Sequence, residues 1–520
     1  NMQKTGRIIS YIWIVSLFIY LFLLVFSNVD VSRFFNSDTL YLPSIYKDLF
    51  LDGNSFAGWQ LNPAPNFFPD MLGYFVLEWI CGGNFILASF IYPIIQFLVL
   101  LILFRLILLQ IFERNLVRVK FLGGVIMLSF FFLIHVVRDD FETTFQLLTN
   151  SYHLGAMLNA FIATLLLLAW IKPEKKIKTY VLITFVVLAV ISDKLFIIQF
   201  VLGAIIILLV RFYDTKNRIY KKGAIVVFGS AVFGLLLFKL IQKIDWINFS
   251  TSPTMFSFDK IGDSFKIFMA HNWELLTSSV FGFVIVLIPL LSLIGLTLFC
   301  IKKIRLGLFS SLFYFYFGSL CFMSFTLLAP IMNGSYEGFD CLRYTIGFYF
   351  VGMLVFPFLF LNINVETKNW HILLGLLNIT FLLPFHTVSI NNLSTYFNYQ
   401  DTYAETLDKL KDKHNLKAGI ANYWYAKKNT MFSHNDVRIY AVYNDFDIYT
   451  HVTNRNWYHE NIDNQLVVFN FVIIDEENRM ERVKELFPTF ELVKQGEVTI
   501  CIVPDFIFPR GKTKLQILEI

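Results

Sequence analysis

The run IISYIWIVSLFIYLFLLVFS (8–27) and the loop VDVSRFFNSDTLYLPSIYKDLFLDGNSFAGWQLNPAPNFFPD (29–70) decide the fold. The run holds 20 residues without a charge, which as a helix matches the hydrocarbon thickness of a bilayer. Lys4 and Arg7 precede it and favour a cytoplasmic start. Asp38 stands early in the loop that follows. A carboxylate at the outer mouth of a membrane helix is costly to bury, so it is a functional-site expectation by default. An ordinary solvated loop aspartate is the plain alternative.

The rest of the chain agrees with that start. Of 520 residues, 56% are hydrophobic and 16% charged, with 60 Phe and 24 Tyr. Soluble domains carry about a quarter charged residues. Runs this long span lipid as helices, because each helix satisfies its own backbone. The expected fold class is a polytopic α-helical membrane protein of about eleven transmembrane helices with a small C-terminal extracytoplasmic α/β domain. After the first span come Asn84–Phe112, Phe121–Val137, His153–Ile171, Tyr180–Ile191, Lys194–Val210, Gly223–Gln242, Leu275–Cys300, Leu308–Pro330, Thr345–Leu361 and His371–Val388.

Basic residues set the topology. RNLVRVK (114–120), KPEKKIK (172–178), RFYDTKNRIYKK (211–222) and IKKIR (301–305) fall on the side of the N-terminus. That places the N-terminus in the cytoplasm, the chain as a multi-pass protein of the cytoplasmic membrane, and the tail outside. Met71–Cys81 is too short to span and reads as a helix on the outer surface, within an outer loop of residues 29–83. The leading Asn1-Met2 reads as an addition ahead of a native start, and no cleavable signal peptide is evident.

The transmembrane part is expected over residues 1–388 and the tail domain over 389–520. In the tail, AGIANYW (418–424), VRIYAVY (437–443) and FNFVIID (469–475) read as strands. Residues 425–432 and ENRMERVKELF (477–487) read as helices, and FELVKQGEVTICIV (490–503) as a hairpin. No GxGxxG, P-loop or HExxH occurs there. Covering the outer site or binding an acceptor is the expected work of this domain, with a stabilising appendage as the alternative. Cys81, Cys300, Cys321, Cys341 and Cys501 are scattered and odd in number, which points to neither a disulfide framework nor a metal cluster.

Conspicuous charges outside the basic loops gather at one predicted depth. They are Arg138, Asp139, Asp140 and Glu142, then Ser192-Asp193-Lys194, the loop with Lys260, and Glu337, Asp340 and Arg343. A channel would more often line its helix interiors with polar residues. A secondary transporter would place them at the midplane of broken, repeated helices. A site at the outer membrane surface fits better. A lipid-linked glycan flippase or transporter and a non-catalytic membrane scaffold stay open as alternatives.

Three stretches carry a resemblance. They are Ser37-Asp38, then NPAPNFFPD (62–70) followed by LEWICGG (77–83), and later LRYTIGFYFVGMLVFP (342–357). In this order the chain resembles the GT-C superfamily of integral-membrane glycosyltransferases, which includes protein O-mannosyltransferases and the transferase that adds aminoarabinose to lipid A. The chain departs from the family where Thr39 follows Asp38 in place of a second acid. It departs again where Thr345-Ile346-Gly347 stands in place of a proline after Arg343-Tyr344.

The resemblance implies a polyprenyl-phosphate-linked sugar donor, a lipid or glycan acceptor, inversion, and no cofactor or nucleic acid. It implies Asp38 as the base that takes the acceptor's proton. Arg343 would bind the leaving phosphate through its guanidinium fork, with Lys194 or Lys260 as a second cation. His153 would donate to phosphate or sugar. Tyr152, Trp59 and Tyr344 would stack on the sugar, or sit in the aromatic belt. Asp139 and Asp140, with Glu142, offer oxygen ligands for a hard cation, but a solvated acidic loop is the simpler reading and no metal is assigned.

Overall fold

The computed structural model describes residues 16, 19–27, 30–137, 153–172, 178–244, 247–250, 257–360, 390–460 and 465–518. The expectations for Arg138, Asp139, Asp140, Glu142 and Tyr152, and for the span His371–Val388, lie outside these residues. The chain is mostly helical, with a β-rich C-terminal region.

Among the described residues, seven helices are long and apolar enough to cross a membrane. They are Phe85–Leu109, Leu154–Ile171, Ile197–Thr215, Arg218–Ile241, Val280–Arg305, Ser311–Met332 and Phe339–Phe360. This is the architecture of a multi-pass membrane protein. The expectation of about eleven spans is met only in part. Residues 19–27 of the first run are helical. Arg114–Val137 begins with its basic residues inside the helix, and Thr179–Ser192 has only 14 residues.

The segment Leu342–Phe360 is the hub of the bundle, with residues 345–355 all buried. Small residues let its neighbours approach closely, as membrane helices require without a hydrophobic drive between them. A side chain at Gly352 would strike the backbone of Pro289, and the Ser292 hydroxyl donates to the Gly352 carbonyl at 2.8 Å.

Two further helices bear an apolar face left exposed among the described residues. Leu72–Ile80, at the expected surface helix, exposes Leu72, Val76, Trp79 and Ile80 while burying Tyr74 and Glu78. Ile261–Ser278 exposes Phe265, Met269 and Trp273. Spacings of three and four residues align each set on one face, the pattern of a helix lying in a membrane interface. The second helix corrects the expected span Leu275–Cys300. Extended backbone at Ser279 breaks the chain, and its hydroxyl caps the next helix through the Gly282 amide.

The C-terminal region folds as a mixed sheet in the order β4-β3-β6-β8-β7, with β9 beside β8. Its strands are β3 (Ala418–Ala421), β4 (Arg438–Ala441), β6 (Phe469–Ile473), β7 (Glu491–Gln495), β8 (Val498–Ile507) and β9 (Gln516–Ile517). The β4-β3-β6 part is parallel, and the hairpin β7-β8 adds antiparallel strands. Helices Thr402–His414, Tyr423–Phe432 and Glu477–Leu486 accompany the sheet.

A second, three-stranded sheet joins distant parts of the chain. β1 (Trp59–Leu61) pairs in parallel with β2 (Asn248–Phe249) and antiparallel with β5 (Thr453–Asn454). The first loop, the middle loop and the tail thereby meet. Asp48 fastens the junction by accepting from Trp59 Nε1 at 2.7 Å, Trp457 Nε1 at 2.6 Å, Asn54 Nδ2 at 2.7 Å and Asn454 Nδ2 at 3.0 Å. Asp52 adds ion pairs with Lys47 and Arg438.

Candidate active site

The segment Asn36–Thr39 is shaped by its own side chains. Asn36 Oδ1 accepts from the amides of Asp38 and Thr39, both at 2.9 Å. The Thr39 hydroxyl donates back to the Phe34 carbonyl at 2.8 Å. This local turn turns Asp38 toward the tail.

Helix Tyr423–Phe432 then grips the segment at three points. The Tyr423 hydroxyl donates to Asp38 Oδ1 at 2.7 Å. The Ser37 hydroxyl donates to the Tyr423 carbonyl at 2.6 Å, and Lys427 Nζ donates to the Ser37 carbonyl at 3.0 Å. Tyr423 and Lys427 lie four residues apart and therefore on one helix face. Asn422 caps that helix by accepting from the Trp424 and Tyr425 amides. Burial pushes the Lys427 ammonium down to about 7, against the opposing attraction of Asp38.

Asp38 is half-buried and lines an open cleft of about 760 Å³. The other walls come from the tail and include Tyr423, Trp424, Tyr443, Tyr449 and His451, with Asn422, Asn444, Asp445 and Glu476. The two amides are held from behind. Asn422 donates to Asp475, and Asn444 accepts from Arg479 at 3.1 Å. Asp475 and Arg479 form a buried ion pair at 2.7 Å. His451 bonds the Ser250 hydroxyl of the middle loop at 2.8 Å. Burial, reinforced by Lys427 and opposed by Asp38, pushes its imidazole below the usual histidine range.

A second polar group surrounds the start of helix Leu154–Ile171. His153 takes left-handed backbone (φ 66°) just before that helix. Its Nδ1 lies 2.5 Å from Asp193 Oδ2, and its ring is 5.1 Å from that of Tyr344. Tyr344 accepts from Arg343 Nη2 at 3.3 Å, and the guanidinium lies 5.2 Å from the Tyr344 ring. Arg343, Tyr344 and His153 are therefore brought together from positions about 190 residues apart in the chain, as the distance between their numbers shows.

Beside them Asp70 is buried against Gly155, where any larger side chain would collide with its carboxylate. Gln96 Nε2 and the Tyr92 hydroxyl donate to Asp70. Burial pushes the Asp70 carboxyl up to about 7; Gln96 opposes that rise and Asp193 adds to it.

Other predicted residues take different places. Trp59 is fully buried, and its indole N–H is committed to Asp48. Its pairing in the β2-β1-β5 sheet leaves no face for a sugar, which corrects the stacking expectation. Lys260 forms an exposed ion pair with Glu337 at 2.9 Å. Lys194 sits with its ammonium 4.6 Å from the Phe238 ring. Neither Arg343 nor His153 lines the cleft that holds Asp38.

Sequence reasoning missed Tyr423, Lys427 and His451 in the tail, and Asp70 beside His153. Asp70 ends the quoted stretch NPAPNFFPD, so an acid closing a proline-rich loop was the available signal. Tyr423 fell at the end of a stretch that reads as a strand, although it opens the helix Tyr423–Phe432, and Lys427 fell in one that reads as a short helix. No family model matches this chain, and no curated protein matches it.

Proposed function

We propose that this protein is a membrane glycosyltransferase of the GT-C type. It transfers a sugar from a polyprenyl phosphate to a lipid or glycan acceptor at the outer face of the cytoplasmic membrane. The observation that carries the reading is the setting of Asp38. Its carboxylate, fixed at one oxygen by Tyr423, lines an open cleft walled by aromatic rings and amides. Those groups suit a saccharide, whose C–H faces stack on rings and whose hydroxyls pair with amides and acids.

In the step, Asp38 takes the proton from the acceptor hydroxyl. The acceptor oxygen forms a bond to the anomeric carbon from the face opposite the phosphate. The bond from that carbon to the phosphate oxygen breaks, and the lipid phosphate leaves with the electron pair. Arg343, with His153 beside it, is the cationic group we assign to that growing negative charge.

The topology of this reading has eleven spans. The strands β2, β1 and β5 of one sheet lie on one side of a bilayer. Among the described residues, six helices besides the interfacial Leu72–Ile80 separate β1 from β2, an even number if each crosses. Between β2 and β5, Val280–Arg305, Ser311–Met332 and Phe339–Phe360 need one partner crossing. The span expected at His371–Val388 would supply it.

The test is turnover of labelled polyprenyl-phosphate sugar by purified protein in detergent. Asp38→Asn should lower turnover by roughly two to four powers of ten while donor binding persists. Full activity of that variant would remove Asp38 as base. Acceptor-free movement of lipid across vesicles, without any turnover, would favour the flippase reading.

A further inference from the structure

We infer that the cleft beside Asp38 is the acceptor subsite, and that its acceptor is a glycan bearing free amino groups. This rests on the transferase reading and names the substrate class for its second substrate.

The lining has one sign of charge. It carries three carboxylates, Asp38, Asp445 and Glu476, and neither a lysine nor an arginine. The donor's phosphate is an anion and finds no partner there. A protonated amine finds carboxylates, and it finds the faces of tyrosine and tryptophan rings, which attract cations. Trp424 and Tyr443 are 54% and 52% exposed, so large ring faces meet solvent at this cleft. Behind them Tyr449 packs against Tyr423 and Tyr443, with ring centroids 5.3 and 4.8 Å away.

The amides contribute the saccharide half of the recognition. Asn422 and Asn444 are tied to the buried Asp475–Arg479 pair, which fixes their orientation before any ligand arrives. Prepositioned amides lower the ordering cost of binding a hydroxylated ligand. The volume of about 760 Å³ holds more than one sugar ring. Asp38 stands in the same lining as the acids and rings, so an acceptor bound there presents a hydroxyl to the base.

The experiment measures equilibrium binding to the full-length protein in uncharged detergent, without donor. The probes are a glucosamine tetrasaccharide and its fully N-acetylated counterpart. The amine form should bind at least tenfold more tightly. The double variant Asp445→Asn with Glu476→Gln should abolish that preference, and Trp424→Ala should weaken both ligands. These residues are exposed, so the changes spare the fold.

Equal binding of the two saccharides, no binding of either, or an unchanged preference in the double variant would overturn the inference. So would equally tight binding of a tetralysine peptide, because charge alone would then explain the site. Binding needs no chemistry, which separates the two failures. Amine-selective binding without turnover of any lipid-linked sugar sinks the transferase reading and the acceptor role with it, and leaves the cleft as an amino-glycan binding site. Turnover without amine preference sinks this inference alone.

Discussion

Asp38 and Tyr423 share one hydrogen bond of 2.7 Å across 385 positions of sequence. Tyr423→Phe removes that bond and keeps the ring. It should lower kcat by about tenfold with little change in donor KM, because the bond orients the base rather than the donor. Equal losses in kcat and donor affinity would make Tyr423 a packing residue instead. Asp70 offers a test through pH. Its carboxyl is raised from the ordinary 3.8 to about 7, so folding disfavours the charged form. The stability it withholds is absent below pH 4, grows as pH rises toward 7, and is constant above. Asp70→Asn should therefore match wild type near pH 4 and exceed it by up to about 4 kcal/mol above pH 7. Thermal unfolding in detergent across pH 4–8 checks this, and a gap independent of pH would refute it. Asp38 drew notice as an acid early in the loop after the first apolar run, which Asp30 also enters. The partners of Asp38 did not, since nothing local in YWYAKKN (423–429) marks two side chains that face a loop made nearly four hundred residues earlier.

At the scale of elements, hydropathy and periodicity read well where neighbours in sequence decide the structure. The tail shows this. Helix Glu477–Leu486 and strand Phe469–Ile473 fall within two residues of ENRMERVKELF and FNFVIID. Long-range pairing stayed hidden. β1 has only three residues, and both its partners are remote. Trp59 consequently read as a sugar-stacking or aromatic-belt residue when pairing buries it. The break at Ser279 was also missed, because the span read from Leu275 ran across the short polar step Thr277-Ser278-Ser279, whose last serine caps the new helix. The junction itself is testable at Asp48, which satisfies four N–H donors from the loop and the tail. Asp48→Ala strands those donors in a buried place and should cost roughly 3–5 kcal/mol. Limited proteolysis should then cut the tail free under conditions where wild type resists. An unaltered digestion pattern would show that the hydrophobic contacts alone hold the junction.

For the whole molecule, contact between the first loop and the tail places both on one side of the membrane. Protease added outside sealed cells, with any outer membrane permeabilised, should digest the tail over residues 390–518. Inside-out vesicles should protect it. The reverse pattern would invert the proposed orientation and put the Asp38 cleft in the cytoplasm.

The three-stranded sheet also has a consequence in time. β1 leaves the ribosome long before β5, its partner from 393 positions later by the pairing of Gln60 with Thr453. Until the tail is made, Trp59 and Asp48 lack the neighbours that complete them. Closing so long a loop is slow because the entropy is spent before the contacts form. The bundle is thus inserted before the tail walls that face Asp38 exist, and the cleft is completed last. A chain halted short of the tail would sit in the membrane, hydrophobic and well packed, with Asp38 unguarded and its cleft unbuilt.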